Sequence, residues 1–363
     1  MKRIGIDARL YFQTGVGVYL RNFLHYLQQE SPEQYIFYVY VLKKDSSKIT
    51  FSNPRFIKKE VTSRWHSVSE QLVFFRALMQ DNLDLMHFTY FSFPILYYRP
   101  FIATIHDVTP LLFKTGKAST LPSFIYNFKH NVLSFVLSQQ VRNAKVIITP
   151  TNAVKKQLMS IYGDRYANKI SALYEGVNQE FFEVKENAAL SDIFKRDFFL
   201  YVGNFYPHKN VNRLIEAFED LDRKDIDLVL AGPGNYFSGS LEKLLHEKKI
   251  SNIRMYHPSK VGDLLFLYNH ALALVNPSLS EGFGLPIVEA AYCGTPVIAS
   301  DIDVFKEILG DNYISFNPLD TKDIMNKLNE FLNSTSQKKT ILDKKYSFKN
   351  MVKEYIVLIS KIV

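Results

Sequence analysis

The chain has 363 residues, which is too long for one ordinary hydrophobic core and predicts two domains of about 150 to 200 residues each. Hydrophobic residues account for 47% and charged residues for 22%, and no apolar run reaches the length of a membrane span. The one cysteine, Cys293, excludes an intrachain disulfide and a thiolate metal cluster. Because residues 1–9 carry four charged side chains where a signal peptide has its apolar core, we expect a cytoplasmic protein.

The net charge of +8 is concentrated in the first part of the chain. Residues 1–150 contain 18 Lys and Arg against 9 Asp and Glu, whereas residues 151–363 contain 26 against 27. A basic surface of this kind can face nucleic acid, anionic lipid or a phosphorylated substrate, or it can simply be solvated. Because the charges are scattered and form no dense block, nucleic acid is the least favoured partner and we expect none to be bound.

Short β-rich runs alternate with helical stretches throughout the first half. This alternation is typical of βαβ units and predicts a parallel sheet. The predicted strands are Arg3–Asp7, Tyr35–Leu42, Leu83–His87, Ile102–His106, Lys145–Thr149 and Ile170–Leu173, and the predicted helices are Val18–Gln29, Val68–Gln80, Leu121–Arg142 and Ala153–Ile161.

The amphipathic pattern of Leu121–Arg142 allows two interpretations. With the basic neighbours Lys114, Lys117 and Lys129, this helix can dock peripherally on an anionic membrane surface. Packing against the sheet is the more favoured interpretation, because surface helices of α/β domains bury their apolar stripe there.

The second half repeats the same rhythm after a polar stretch, Gly176–Lys195, which is interpreted as a linker. A final amphipathic helix is predicted at Phe348–Val363. Domains are therefore expected at residues 1–180 and 181–347, with the helix of residues 348–363 packed on the first. The predicted strands are Phe198–Val202, Asp227–Ala231, Ile253–Met255, Ala271–Val275, Pro296–Ala299 and Tyr313–Phe316, and the predicted helices are Asn210–Leu221, Leu241–Lys248, Gly262–His270, Pro286–Cys293 and Asp323–Leu332.

The predicted fold class is α/β, with two Rossmann-like doubly wound parallel-sheet domains facing each other across a cleft. Ligands of such domains bind at the carboxyl ends of the strands. The first such end carries Gly15 and Gly17, a G-x-G turn that opens a helix and lets backbone approach a phosphate or sugar closely. Because Leu20 stands where a dinucleotide fingerprint has its third glycine, a plain strand-to-helix turn remains an equal alternative.

Two histidines are predicted at strand ends of the first domain. His106 is followed by Asp107, and His87 ends the preceding strand. A histidine facing a cleft can bind a substrate hydroxyl or exchange protons near neutral pH. For His87 a core position is an equal alternative, and without a second histidine at ligand spacing a metal site is not favoured.

The second domain opens with a strand that ends at Gly203 and continues to Lys209 at the start of the next helix. A lysine there can neutralise a diphosphate as a point charge on a long stem. Since lysine is slightly unfavourable at a helix start, a purely structural role is less favoured than usual.

The most specific motif runs from Ser280 to Ala290, with the sequence SEGFGLPIVEA. It passes from a glycine-rich turn into a helix whose first turn contains Pro286, a position that suits proline. The N–H groups of residues 282–285 then lie at the positive end of a helix, which can bind a phosphate. Glu281 and Glu289 flank these amides, so an anion and a polyol are expected at one place, as a nucleotide sugar would supply.

Together these residues resemble the retaining glycosyltransferases of family 4, which have the GT-B fold. The resemblance extends from Gly5 to about Leu319. Besides the G-x-G turn, it comprises His106-Asp107, Gly203 with Lys209-Asn210, the phrase from Pro277 to Gly284, Glu289-Ala290, and Gly294-Thr295-Pro296-Val297.

The resemblance implies a role for each matching residue. Glu281 would bind the donor sugar and Glu289 the ribose hydroxyls. Lys209 would hold the diphosphate, and His106 would touch the donor sugar as a third catalytic residue. Backbone amides of Gly282, Phe283, Gly284 and Leu285, together with Gly15, Gly17 and Gly203, complete the implied donor-binding set, and His87 and Asp107 are the acceptor-side candidates.

The resemblance also implies a metal-independent enzyme whose co-substrate is a nucleotide diphosphate sugar. One departure is that many members carry an arginine shortly before the lysine, where this chain has Asn204 and His208. Loss of one charge-assisted contact would cost roughly 1.5–3 kcal/mol unless replaced. The diphosphate then relies on Lys209 with the helix N-terminus, or on a protonated His208.

The sequence favours a hexosyltransferase and leaves its substrates open. GDP-mannose is the favoured donor because residues 106–110 resemble mannosyltransferase members, and UDP-hexoses are the alternative. The expected acceptor is a glycan or a lipid-linked saccharide of cell-surface polysaccharide synthesis. An NAD enzyme would need a fuller glycine fingerprint; a nucleotide-sugar epimerase and a non-catalytic sugar- or polyanion-binding protein remain the rival interpretations.

Overall fold

The computed structural model describes residues 1–112, 123–334 and 339–363. The chain forms two compact units, of which unit 1 comprises Met1–Glu175 with Lys345–Val363 and unit 2 comprises Gly176–Lys344. Lys114, Lys117 and Leu121, on which the membrane-docking interpretation partly relied, lie outside the described residues. Within the described residues, no helix is long and apolar enough to cross a membrane.

Unit 1 contains a seven-stranded sheet with the strand order β3-β2-β1-β4-β5-β6-β7, in which every neighbouring pair is parallel. The order reverses between the first and fourth strands, whose carboxyl ends therefore form the switch point where ligands of such sheets bind. The strands are β1 Lys2–Asp7, β2 Tyr35–Leu42, β3 Phe56–Val61, β4 Leu85–Phe88, β5 Phe101–Thr104, β6 Val146–Thr149 and β7 Ile170–Ala172.

The helices of unit 1 pack on this sheet through apolar faces. Helix α1 buries Leu20, Phe23 and Leu27 completely. The described α-helices are α1 Gly15–Glu30, α2 Phe75–Gln80, α3 Thr109–Leu112, α4 Ser123–Asn143, α5 Asn152–Tyr162 and, from the end of the chain, α12 Phe348–Ile359.

Helix α12 packs against α1 through aromatic rings. The ring of Tyr355 meets that of Phe23 edge-on at 4.8 Å between centroids, and Phe348 approaches Tyr19 at 6.5 Å. Tyr355 and Phe348 are almost completely buried. The amphipathic helix predicted at Phe348–Val363 is therefore a structural part of unit 1.

Unit 2 contains a six-stranded parallel sheet with the order β10-β9-β8-β11-β12-β13, which reverses between β8 and β11. Its strands are β8 Phe198–Val202, β9 Asp227–Ala231, β10 Ile253–Tyr256, β11 Ala273–Asn276, β12 Val297–Ser300 and β13 Ile314–Phe316. Its helices are α6 Val211–Asp220, α7 Tyr236–Glu247, α8 Val261–His270, α9 Leu285–Cys293, α10 Asp303–Leu309 and α11 Thr321–Asn333.

The interpretation of Gly176–Lys195 as a linker is wrong. The stretch forms two 3₁₀ turns, Gln179–Phe182 and Ala188–Asp192, which bury Phe181 and Leu190 in unit 2. Asn187 between them donates its backbone N–H to the Gly262 carbonyl at 2.9 Å and its side-chain amide to Asp263 at 2.8 Å. Polar residues that bond the adjoining helix gave this packed segment the composition of a linker.

The sequence also missed strand β3, whose residues Lys58, Lys59 and Glu60 break the apolar alternation. The strand lies at the edge of the sheet, where charged side chains are common because one side of the strand meets solvent. The predicted helix Val68–Gln80 begins instead with a π-helical turn, Glu70–Phe74, that continues into α2.

Candidate functional site

The centre of the candidate site lies at the switch point of unit 2. Strands β8 and β11 are direct neighbours there, with Phe199 opposite Ala273 and Leu200 opposite Leu274. Because both strands run in the same direction, the segments that follow them meet at one edge of the sheet. Lys209 comes from the segment after β8 and Glu281 from the segment after β11.

Lys209 ends a short 3₁₀ turn, Pro207–Lys209, that precedes α6. Asn210 follows in the left-handed conformation with φ +59°, and its side-chain amide donates to the carbonyls of Pro277 at 3.2 Å and Pro318 at 2.7 Å. These bonds fix the turn against the neighbouring loops, so the position of the Lys209 stem is set by the backbone.

Glu281 is held by two side chains at the same oxygen. Lys209 donates from Nζ to Oε1 at 2.7 Å, and Ser278 donates from Oγ to the same atom at 2.8 Å. Ser278 is completely buried, and its own backbone N–H donates to the Asn276 side chain at 3.2 Å. Glu281 and Lys209 keep 11% and 18% of their side-chain surfaces exposed, so both can still reach a ligand.

Helix α9 begins next to this pair. Gly284 caps it in the left-handed conformation with φ +90°, and Pro286 lies in the first turn, as the sequence predicted. A Cβ atom on Gly284 would lie 2.8 Å from the ring of Phe305. Glycine is therefore required for backbone and space, and the positive end of a nine-residue helix opens beside Glu281.

Glu289, one turn into α9, is buried against helix α8. Tyr268 donates its hydroxyl to Glu289 Oε2 at 2.9 Å. Burial raises the pKa of this carboxyl to about 7, against the opposing effect of the tyrosine hydrogen bond. Tyr268 is a functional candidate that sequence reasoning missed.

Gly203 lies where β8 ends, and its role in the structure is close packing. A Cβ on Gly232, at the end of β9, would lie 2.1 Å from the Gly203 carbonyl oxygen and 2.8 Å from the ring of Phe205. Gly203 itself has φ +151°. The two glycines therefore let the adjacent strand ends of β8 and β9 approach closely.

In unit 1, Gly15 and Gly17 occupy the first turn of α1 and differ from each other. A Cβ on Gly17 would lie 2.8 Å from the Tyr11 carbonyl oxygen, whereas a Cβ on Gly15 would have nothing within 4 Å. Gly17 is therefore needed for the backbone at Tyr11 to pack against the first turn of α1. Gly15 carries no such steric demand from the chain itself.

His106 and Asp107 follow β5, which ends at Thr104 rather than at His106 as predicted. The Nε2 of His106 lies 2.9 Å from the Thr89 carbonyl oxygen, and Nδ1 lies 3.4 Å from Glu175 Oε1. Asp107 accepts from the Thr109 N–H at 2.8 Å, at the start of α3. His106 is thus held between two partners at the carboxyl edge of the sheet, and Asp107 stabilises the following turn.

His87 lies in the core of unit 1 and is completely buried. Its Nε2 is 2.7 Å from Thr104 Oγ1, and its ring stacks on Tyr355 of α12 at 5.1 Å. Burial, and then the neighbouring His106, lower its pKa to about 3, so it stays neutral. Strand β4 also continues past it to Phe88, and we do not carry His87 forward as an acceptor-side residue.

A buried ion cluster beside β1 is a second feature that the sequence did not indicate. Arg9 has no exposed side-chain surface; it donates two hydrogen bonds to Asp7, at 2.8 and 2.6 Å, and one to Glu70 at 2.6 Å. The Ser92 hydroxyl lies 2.8 and 2.7 Å from the two oxygens of Glu70, and its single hydrogen is shared between them. The cluster joins the segments that follow β1, β3 and β4 at the carboxyl edge.

No group of three or more His, Cys, Asp or Glu side chains that could hold a metal ion occurs within residues 1–112, 123–334 and 339–363. The stretch Asp301-Ile302-Asp303, which has the Asp-x-Asp spacing of some metal sites, lies at the start of α10. Ile302 is the capping residue and Asp303 the first helical one, while Asp301 pairs with Lys306 at 2.8 Å.

Two parallel-sheet α/β units, each with a switch point in its strand order, make up the GT-B fold of glycosyltransferases. The chain belongs to the glycosyltransferases. Residues 185–347 match the family Glycosyl transferases group 1, and residues 13–181 match Glycosyltransferase Family 4.

Individual relatives agree with this assignment. The chain is 30% identical over 260 residues to the O-antigen chain mannosyltransferase RfbU of Salmonella typhimurium, an alignment that covers 71% of this chain and 67% of that protein. The two-unit fold is similar to sucrose-phosphate synthase of Thermosynechococcus elongatus, with TM-score 0.75, 17% identity and coverage of 99% and 98%. It is also similar to Anabaena HepE in complex with UDP and glucose, with TM-score 0.71, 15% identity and coverage of 99% of each chain. The predicted fold class and the transferase assignment are confirmed.

Proposed function

We propose that this glycosyltransferase moves a hexose, most readily mannose, from a nucleotide diphosphate sugar to a hydroxyl of a glycan or lipid-linked saccharide, with retention at the anomeric carbon. The observation that carries the proposal is the contact between Lys209 and Glu281 at the switch point of unit 2, next to the N-terminus of α9. An ammonium group, the positive end of a helix and a carboxylate that can accept hydrogen bonds from hydroxyls thereby lie within one small region.

The roles follow from the chemistry of these groups together with the resemblance to the glycosyltransferases of family 4. The Lys209 ammonium and the amides at the start of α9 would bind the diphosphate, because both favour negative charge. Glu281 would accept hydroxyls of the donor sugar, and Glu289 would accept those of the ribose. His106 would contact the donor sugar, as the resemblance implies.

In the reaction, the bond between the anomeric carbon and the diphosphate oxygen breaks and a bond to the acceptor oxygen forms on the same face. The departing phosphate oxygen takes the proton of the acceptor hydroxyl. Since the transition state resembles an oxocarbenium ion, the protein mainly positions the reactants and stabilises the departing charge. Glu281 is bound by Lys209 and Ser278 and acts in recognition, so we assign no nucleophile.

The choice of donor is supported by one relative and by one stretch of sequence. RfbU is named as an O-antigen chain mannosyltransferase, and residues 106–110 resemble mannosyltransferase members. GDP-mannose is therefore our proposed donor and UDP-hexoses the alternative. We propose that binding needs no metal, because Lys209 and α9 supply the positive charge.

We further propose that the protein acts in cell-surface polysaccharide synthesis in the cytoplasm, with peripheral attachment to an anionic membrane. The excess of 18 basic over 9 acidic residues in residues 1–150 supports this, as does the lipid-linked acceptor that such synthesis uses. Co-sedimentation with phosphatidylglycerol vesicles, but not with phosphatidylcholine vesicles, at 0.1 M salt is the expected result.

The first experiment measures binding of GDP, UDP, GDP-mannose and UDP-glucose by calorimetry with EDTA present, on the wild type, Glu289→Ala and Glu247→Ala. Glu247 is an exposed glutamate on α7 and serves as the control. The two ligands that share one base, either guanine or uracil, should bind the wild type and Glu247→Ala with equal affinity. They should bind Glu289→Ala weakly. Failure of all four ligands to bind would overturn the donor assignment, and binding that required added metal would overturn metal independence.

Retention is tested separately with the selected donor and a mannose-containing oligosaccharide as acceptor. Proton NMR of the early product should show the same anomeric configuration as the donor sugar. The opposite configuration would overturn the proposed mechanism and leave the transferase assignment intact.

A further inference from the structure

Glu289 is held in place by a chain of contacts that leads back to a sequence motif with no assigned role. Thr295, from the Gly294-Thr295-Pro296-Val297 motif, donates its hydroxyl to the backbone carbonyl of Tyr268 at 2.7 Å. Tyr268 in turn donates its hydroxyl to Glu289 Oε2 at 2.9 Å. The motif therefore reaches the carboxyl group through one intervening tyrosine.

The chain of contacts is rigid at each link. Gly294 ends α9 in the left-handed conformation with φ +74°, and the Thr295 N–H donates to the Ala290 carbonyl at 2.9 Å. The ring of Phe181 packs on that of Tyr268 at 6.0 Å between centroids. Tyr268 is thus fixed at its backbone, at its ring and at its hydroxyl.

Resting on the proposed function, we propose that Tyr268 is a positioning residue that orients the Glu289 carboxyl for the ribose hydroxyls and sets the pH range in which the donor binds. Its hydroxyl takes one lone pair of Oε2. The remaining lone pairs of Oε2 and Oε1 can then accept two vicinal hydroxyls, provided that the carboxyl is ionised.

Tyr268 and Cys293 face Glu289 and keep the same charge near neutral pH, whereas the Glu289 carboxyl titrates there. Burial raises the pKa of Glu289 itself to about 7. From α8, the pKa of Tyr268 is raised well above its usual value by burial and by Glu289, so its hydroxyl remains a donor. On the next turn of α9, burial and then Glu289 raise the pKa of Cys293 to about 12, so the thiol stays neutral.

The direction of the pH effect follows from these surroundings. The ionised carboxyl binds the hydroxyls, so affinity is full above the pKa of Glu289 and is lost as the pH falls through it. With a pKa of about 7, the dissociation constant should be about 30-fold higher at pH 5.5 than at pH 8.5. Tyr268→Phe removes a hydrogen bond that lowers the pKa and should move this loss to higher pH.

The experiment measures the dissociation constant of the wild type for GDP-mannose, or for UDP-glucose if the first experiment selects uridine, by calorimetry from pH 5.5 to 8.5. A nucleotide sugar is used because its esterified diphosphate lacks the proton that titrates near pH 6 in a terminal phosphate. Glu289→Gln should bind weakly and without this pH dependence. For Tyr268→Phe, the ratio of its dissociation constant to that of the wild type should be largest in acid, where the higher pKa of Glu289 adds to the lost orientation, and should fall at high pH to a constant value above one that reports the lost orientation alone.

Two further variants keep the test independent of folding. Tyr313→Phe removes a buried hydroxyl that has no hydrogen-bond partner among the described residues and should match the wild type at every pH. Thr295→Val should show the Tyr268→Phe pattern more weakly. A Tyr268→Phe ratio that stays constant with pH, or a wild type that binds equally at pH 5.5 and 8.5, would overturn this inference, whereas absence of binding at every pH would overturn the proposed function instead.

Discussion

The Nζ atom of Lys209 lies 2.7 Å from Oε1 of Glu281, although 72 positions separate the two residues in the sequence. The contact arises because β8 and β11 are neighbours at the switch point of the sheet. Each charge therefore neutralises the other. A bound diphosphate would compete with Glu281 for Lys209, and a sugar hydroxyl would compete with Lys209 for Glu281.

The first prediction concerns the cation. Lys209→Met removes one charge-assisted contact to the diphosphate, which is worth about 1.5–3 kcal/mol, so affinity for GDP or UDP should fall about 10- to 150-fold. Calorimetry at constant salt measures this. Lys248→Met is the matched control, since that lysine pairs with Glu219 on the exposed surface of the same unit. Equal affinity of Lys209→Met and the control would contradict the assignment of Lys209.

The second prediction separates Glu281 from nucleotide binding. Glu281→Ala should lower turnover by about 10- to 150-fold, because a charged hydrogen bond to the reacting sugar is lost. Affinity for the free nucleoside diphosphate should not fall, since the substitution also removes the carboxylate that competes for Lys209. Release of nucleotide during transfer gives turnover, and calorimetry gives affinity. If Glu281→Ala weakened nucleotide binding as much as it lowered turnover, the sugar-binding role would be wrong.

The extent to which the sequence predicted these features depends on how local each feature is. Strands β2, β8 and β9 were predicted with their observed bounds, and Pro286 in the first turn of α9, because local periodicity and proline geometry decide them. The contact between Tyr268 and Glu289 joins two helices that no local pattern relates. The core position of His87 likewise depends on α12, which arrives from the far end of the chain.

The edge strand β3 was missed, and the stretch Gly176–Lys195 was misinterpreted, for a related reason. Strand β3 has a charged exposed face, and the polar stretch before β8 bonds to α8, so composition indicated a loop and a linker. Side chains that face solvent are mostly polar, and they dominate the composition of an edge strand or of a packed surface turn. Such segments therefore resemble loops and linkers in composition.

The third prediction uses the contrast between two glycines of α1. Gly17→Ala places a Cβ 2.8 Å from a carbonyl oxygen and should lower the free energy of unfolding of unit 1 by about 1–3 kcal/mol. Gly15→Ala meets nothing within 4 Å and should leave stability unchanged or slightly raised. If Gly15 contacts the donor phosphates as the resemblance implies, Gly15→Ala will lower the transfer rate at full stability. Urea unfolding and initial rates on both variants check this, and an unchanged transfer rate for Gly15→Ala would remove Gly15 from the donor site.

The fourth prediction concerns the buried cluster of Arg9, Asp7 and Glu70. Arg9→Met leaves two carboxyls buried without their cation, which should lower the free energy of unfolding of unit 1 by about 3–5 kcal/mol at pH 8. Burial already raises the pKa of Glu70 despite the opposing effect of Arg9, and loss of Arg9 should raise it further.

The pH dependence of this loss has a definite sign. A carboxyl whose folded pKa is raised destabilises the folded state above that pKa, and the penalty is relieved as the pH falls and the carboxyl takes a proton. The difference in stability between Arg9→Met and the wild type should therefore shrink from pH 8 to pH 5. Urea unfolding followed by the fluorescence of Trp65, the single tryptophan and a residue of unit 1, reports this unit separately. Arg165→Met, which changes an exposed arginine of the same unit, is the control. A difference for Arg9→Met that stayed constant or grew toward pH 5 would show that the loss does not come from the two buried carboxylates.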